Sequence, residues 1–97
     1  MKLRVTRQAA ADLCEIAEFI RETNPVAAER VSAAIEAAFR LLCRFPHLGR
    51  SQRTAGVRKF VTAKFPYLVF YRANSATNEL EIIAVRHPAR RREHSDE

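Results

Sequence analysis

The stretch "AVRHPARRRE" (residues 84–93) sets one histidine, His87, among Arg86, Arg90, Arg91 and Arg92. Two kinds of chemistry suit these residue types. In one, His87 moves a proton while guanidinium groups hold a phosphate. In the other, the stretch is a basic handle that grips a partner. Cleaving RNA through its 2′-hydroxyl needs a proton acceptor, a proton donor for the leaving oxygen, and cations for the pentavalent phosphate. His87, Tyr71, Lys59 and Lys64 are the candidate proton carriers, and Arg58, Arg72 and Arg86 the candidate cations. No Asp or Glu occurs from Pro46 to Asn78, and the only tyrosines are Tyr67 and Tyr71, so none follows the last apolar segment. Pro88 directly after His87 turns the chain away from regular pairing there. Binding asks for less: the arginines offer planar donors suited to carboxylates or phosphates, and a polar chain end can order on a partner.

The elements that must position these residues can be read from periodicity. "KLRVT" at residues 2–6 alternates as a short strand does, and Thr6 is a favoured N-cap. Leu13, Ile16, Ala17 and Ile20 then mark one face of a helix, with Asp12, Glu15, Glu18 and Glu22 off that stripe. "TNP" stops this helix and starts another, because Asn24 is a favoured cap and Pro25 a favoured first residue. Two helices joined this tightly form an antiparallel hairpin. Val31, Ile35, Ala38, Leu42 and Phe45 mark the second helix, widened by Phe39 and Leu41. "FPHLG" ends it, and "RSQRTAG" reads as a loop. Three β-type segments follow: "VRKFVTAKF", "YLVFYRA" and "LEIIAVRH". Their short links imply an antiparallel meander. In the last strand Leu80, Ile82, Ala84 and Arg86 fall on one face, and Ile83, Val85 and His87 on the other. The expected fold is α+β in the order β-α-α-β-β-β: an N-terminal edge strand and a helical hairpin packed on a small, mostly antiparallel sheet. One domain fills residues 1–97, with a basic tail from about residue 88.

The totals narrow the function further. The 97 residues carry a net charge of +6. Residues 1–49 hold 7 Lys/Arg against 6 Asp/Glu, residues 50–92 hold 10 against 2, and residues 93–97 hold three acids. The basic second half attracts phosphates or an acidic protein. No run reaches the roughly 18 apolar residues of a membrane span. The N-terminus lacks an apolar signal core, so a cytoplasmic protein is expected. Cys14 and Cys43 are too few for a metal site. They fall about 13 Å apart along the hairpin, too far for a disulfide, and are expected as buried free thiols. No cofactor or metal is expected. The almost balanced charge of the hairpin argues against a DNA-reading helix.

Six pieces in order carry a resemblance over nearly the whole chain: "AADLCEIAEFI", "NPVAAERV", "FPHLGR", "VRKFV", "YLVFYR" and "IIAVRHPARR". Together they resemble the RelE/ParE superfamily of toxins from type II toxin–antitoxin systems, and "NPVAAERV" and "VRHPARR" look closer to ParE. The resemblance implies one of two activities. ParE-like members bind DNA gyrase and block it; RelE-like members cleave messenger RNA on the ribosome. It also implies an antitoxin wrapped around the toxin in a hetero-oligomer. On the binding reading, Arg86, His87, Arg90, Arg91 and Arg92 meet the target. Phe19, Phe60, Phe65 and Phe70 exceed what so small a core covers, so these, with Arg58 and Arg72, are the expected seat of an acidic helical or extended antitoxin segment. On the cleavage reading, His87, Arg86, Tyr71, Arg58 and Lys59 are the catalytic set.

Overall fold

A computed structural model describes residues 1–88 of the chain; Arg90, Arg91 and Arg92 lie outside the described residues. The elements run β1 (Lys2–Val5), α1 (Arg7–Thr23), α2 (Pro25–Arg44), β2 (Arg50–Ser51), β3 (Val57–Val61), β4 (Leu68–Asn74) and β5 (Glu79–Arg86). The five strands form one sheet in the order β1-β5-β4-β3-β2. β1 pairs with β5 in parallel, and every other pairing is antiparallel. The α+β hairpin-on-sheet arrangement expected from the sequence is therefore present. The addition is β2, two residues inside the segment read as loop, too short for any alternation to register.

Local chemistry explains the boundaries. The Thr6 hydroxyl accepts the Ala9 N–H at 3.1 Å and starts α1. Asn24 serves both helices. Its N–H closes α1 onto the Ile20 carbonyl at 2.7 Å, and its side chain accepts the Ala27 N–H at 3.1 Å to start α2. Pro25 then occupies the first turn, where a missing N–H costs nothing. Between β4 and β5, the Asn74 side chain accepts from Ala76 and Thr77 N–H groups, and Asn78 takes a positive φ of 57°, a conformation asparagine tolerates.

Both helices cover one face of the sheet. Val31, Ile35, Phe39 and Leu42 of α2 meet Val69, Tyr71, Leu80, Ile82 and Val85 there, with Ile16 and Ile20 of α1 at the margin. Each such side chain removed from water contributes about 1.5–3 kcal/mol before the entropy of ordering is counted. The α2 stripe ends one turn early: Phe45 is 52% exposed and Leu41 is also exposed. Leu41 faces outward on a helix whose next residue, Leu42, is fully buried, and Phe45 is the cap just past the last helical residue, Arg44. Cys14 is exposed and Cys43 half-buried, so the two thiols are free as expected but not buried.

The face assignment of β5 is corrected by a β-bulge. Phe70 pairs with Ala84 but Tyr71 pairs with Ile82, which leaves Ile83 as an extra residue. An extra residue shifts the side-chain alternation beyond it to the other face. Leu80, Ile82 and Val85 consequently point to the helices, while Ile83, Ala84 and Arg86 share the open face. A second, smaller apolar cluster forms on that face from Val57, Leu68, Phe70, Ala84 and Ile83. Among the described residues, no helix is long and apolar enough to cross a membrane.

Candidate interaction site on the sheet

The strand that carries the basic stretch is held by α1. β1 ends at Val5, so past Ile82 the edge of β5 has no neighbouring strand. The start of α1 takes over. The Thr6 N–H and hydroxyl donate to the carbonyls of Ile82 and Ile83 at 3.1 and 3.0 Å. The Asp12 carboxylate accepts the Val85 N–H at 2.9 Å, the Arg86 guanidinium at 2.8 Å and the Gln8 amide at 2.8 Å. Asp12 is 4% exposed, which overturns its expected place on the solvent side of α1. The signal was present in the spacing: Asp12 stands three residues after the fully buried Ala9 and four before Ile16. An acid on that stripe needs donors inside, and the orphan Val85 N–H and Arg86 supply them.

The catalytic candidates do not converge. Arg58 and Tyr71 pair across β3 and β4 and share the helix-covered face, whereas Lys59 pairs with Phe70 and shares the open face. Arg58 donates to the Gly49 carbonyl at 2.7 Å. Tyr71 is 0% exposed. Its hydroxyl donates to the Pro46 carbonyl and accepts the Gly49 N–H, both at 2.8 Å. Gly49 is required at this approach, because a Cβ there would lie 2.7 Å from the Tyr71 ring and 2.9 Å from the Lys59 carbonyl oxygen. His87 is exposed beyond the end of β5, with its ring edge-on to Tyr67 at 5.4 Å. Lys64 is exposed in the turn between β3 and β4, which Thr62 closes by accepting the Tyr67 N–H at 2.9 Å.

Burial raises the ionisation of Tyr71 above its ordinary value of 10.0, against the lowering effects of the Gly49 N–H and the Arg58 charge; burial raises Tyr67 as well. The unfolded chain thus gives up these protons first as pH rises. The folded chain then binds more protons than the unfolded one, so stability present below about pH 10 is lost above it. Tyr71→Phe should cost about 1–3 kcal/mol near neutral pH, because the buried Gly49 N–H and the part-buried Pro46 carbonyl lose their partner. It should also flatten the alkaline slope. Denaturant unfolding between neutral and alkaline pH measures both, and an undiminished slope in the variant would remove Tyr71 as its source.

The four phenylalanines expected to lack cover behave differently from one another. Phe70 is buried in the open-face cluster, and Phe60 and Phe65 pack half-buried against the helix-side core. Only Phe19 stands out, at 65% exposed. The premise of shared exposure therefore holds for one of the four. Phe70 is covered within the open-face cluster of Val57, Leu68, Ile83 and Ala84.

The open face has a defined pattern. A depression of about 380 Å³ lies over Val57, Phe70, Ile83 and Ala84, with Arg72, Arg86, Thr6, Thr54 and Glu81 around it. Strand register places Lys59 beside Phe70, Arg50 beside Lys59, and Arg4 beside Glu81 on the same face. Arg4 and Glu81 form an ion pair. The result is an apolar centre inside a mostly cationic margin.

Comparison with known proteins decides the family. A sequence model described as the ParE toxin of the type II toxin–antitoxin system parDE matches residues 3–92. The chain belongs to the ParE toxin family. It is 36% identical over 86 residues to the candidate toxin Y4kP of Sinorhizobium fredii, covering 89% of this chain and 86% of that one. It is 34% identical over 85 residues to Toxin RelE2 of Caulobacter vibrioides, covering 88% and 92% respectively. Among solved structures, a chain of the chromosomal ParDE system from P. aeruginosa superposes with a TM-score of 0.77 at 26% identity, over 90% of this chain and 95% of that one. A chain of the intact E. coli RelBE complex shares the fold at a TM-score of 0.63 and 11% identity, over 89% and 94%. The toxin thus has the shared ParE/RelE architecture from β1 to the end of β5. The match takes in "AVRHPARRRE" up to Arg92, so the basic stretch is part of the family domain.

Proposed function

We propose that this toxin acts by binding, as a ParE-like inhibitor of DNA gyrase, and that an antitoxin encoded beside it neutralises it. What carries the choice of binding over cleavage is the dispersal of the acid–base candidates. Proton transfer needs donor and acceptor within hydrogen-bond reach of one substrate position. Tyr71 and Arg58 lie on one side of the sheet, Lys59 and Arg86 on the other, and the Tyr71 hydroxyl already has two backbone partners. His87 at the end of β5, with Arg90, Arg91 and Arg92 following in sequence, is the target-contacting stretch. Arg86 forms its root, held by Asp12. The antitoxin is supported by the relatives, which come from a ParDE system and from RelBE complexes.

The runner-up is RelE-like cleavage of messenger RNA on the ribosome, favoured by the relative named RelE2. Induction of the chain alone, and together with the product of the neighbouring reading frame, separates the two. The expected result is growth arrest with altered plasmid topology and intact messages, relieved by the neighbour. Cut messages with normal topology would hand the function to the runner-up.

A further inference from the structure

The open sheet face carries no helix and, unlike the hairpin, has a strong charge bias. In the rows that cross its centre, Arg4, Arg50, Lys59, Arg72 and Arg86 stand against Glu81. Glu81 is already paired with Arg4, and Arg86 with Asp12. Arg72 has no ion-pair partner among the described residues, and neither has Lys59. Arg72 lines the depression, and Lys59 stands beside its floor residue Phe70. Its one aromatic floor residue, Phe70, is only 4% exposed, so no ring face is open to a nucleobase. Binding of single-stranded nucleic acid depends on such open faces for stacking. A branched aliphatic side chain fits the floor, and carboxylates fit the margin. A second copy of this face would bring like charges together.

We propose that the open face is the seat of an acidic, aliphatic segment of the antitoxin. An apolar side chain of that segment enters the depression over Val57, Ile83 and Ala84, and flanking carboxylates meet Arg72 and Lys59. This deepens the toxin–antitoxin reading and rests on it for the partner's identity. Of the residues expected to seat the antitoxin, it retains Phe70 and Arg72 on the open face and leaves out Phe60 and Phe65, which pack on the helix side.

The test uses the full chain with labelled methyl groups, observed by NMR. The probes are a short synthetic peptide alternating leucine and glutamate, the same peptide with lysine for glutamate, and an oligouridylate. The acidic peptide should bind saturably and shift the methyls of Val57, Ile83 and Ala84. Arg72→Glu should weaken it at least about tenfold, since attraction becomes repulsion at the rim. Arg72 is exposed, so the variant should fold; Lys59→Glu provides an independent second reading. Four results would each overturn the proposal: equal binding of the lysine peptide, oligouridylate shifting the same methyls, shifts confined to the helices, or self-association through this face. Rescue of growth by the neighbouring frame's product tests the antitoxin reading separately. Rescue that persists with unchanged complex affinity in both charge-reversal variants discards this seat and leaves that reading standing.

Discussion

Deleting residues 89–97 is expected to abolish growth arrest on induction, while His87→Ala keeps much of it. The deletion removes three arginines and three acids, so the net charge stays at +6 and a loss of toxicity cannot come from overall charge. What disappears is the run Arg90, Arg91 and Arg92 that follows β5 in the sequence. Planar guanidinium donors engage carboxylates or phosphates bidentately, and a handful of such anchors commonly dominates a protein interface. Residues 1–88 contain every strand and helix described above, so the shortened chain should still fold and still bind antitoxin. His87→Ala removes an exposed ring and its edge-on contact with Tyr67, an interaction of about 0.5–1.5 kcal/mol by comparison with aromatic pairs. Growth after induction, with soluble yield and antitoxin capture as controls, reads both variants. If the deletion still arrests growth while a folded His87→Ala does not, His87 carries the chemistry and the binding mechanism fails.

Asp12→Ala should be the most damaging single substitution outside the apolar core, costing about 3–5 kcal/mol. Buried ion pairs are weak stabilisers compared with apolar replacements, but removing one partner strands the other charge. Here the loss is wider. The Val85 N–H loses its acceptor, Arg86 loses its counter-charge, and the Gln8 amide loses its partner. For a domain of this size each kcal/mol shifts the melting temperature by about 4–8 °C, so a fall of more than about 10 °C is expected. A domain near the low end of the typical range of about 5–15 kcal/mol would then be poorly folded at growth temperature. Replacing Arg86 by leucine in the same chain should recover part of the loss by removing the stranded charge. A thermal melt of the three proteins decides it. A drop below about 4 °C for Asp12→Ala would mean that water replaces the carboxylate and that the clamp contributes little.

What the sequence determined by itself is everything governed by neighbours within a few positions. Thr6 caps α1 because its hydroxyl reaches the N–H three residues on, and Asn24-Pro25 separates the helices for equally local reasons. The 3.6-residue spacing of Val31, Ile35, Ala38 and Leu42 and the β-branched, aromatic character of residues 57–87 set the element types, and their order sets the α+β class. The family was legible because six such local pieces recur in one order. The tertiary structure alone decided how these elements meet. The parallel pairing of β1 with β5 joins residues 77 apart, and the edge it leaves open past Ile82 is what draws Asp12 inside. The bulge at Ile83 exchanges the faces of Ala84 and Val85, and so decides which of them joins the cluster around Phe70. Tyr71 and Lys59 looked like members of one site, yet strand register sets them on opposite faces. Alternation within a strand is local, but a single extra residue anywhere in it inverts every assignment beyond. Its position is chosen by the pairing partner rather than by the strand itself.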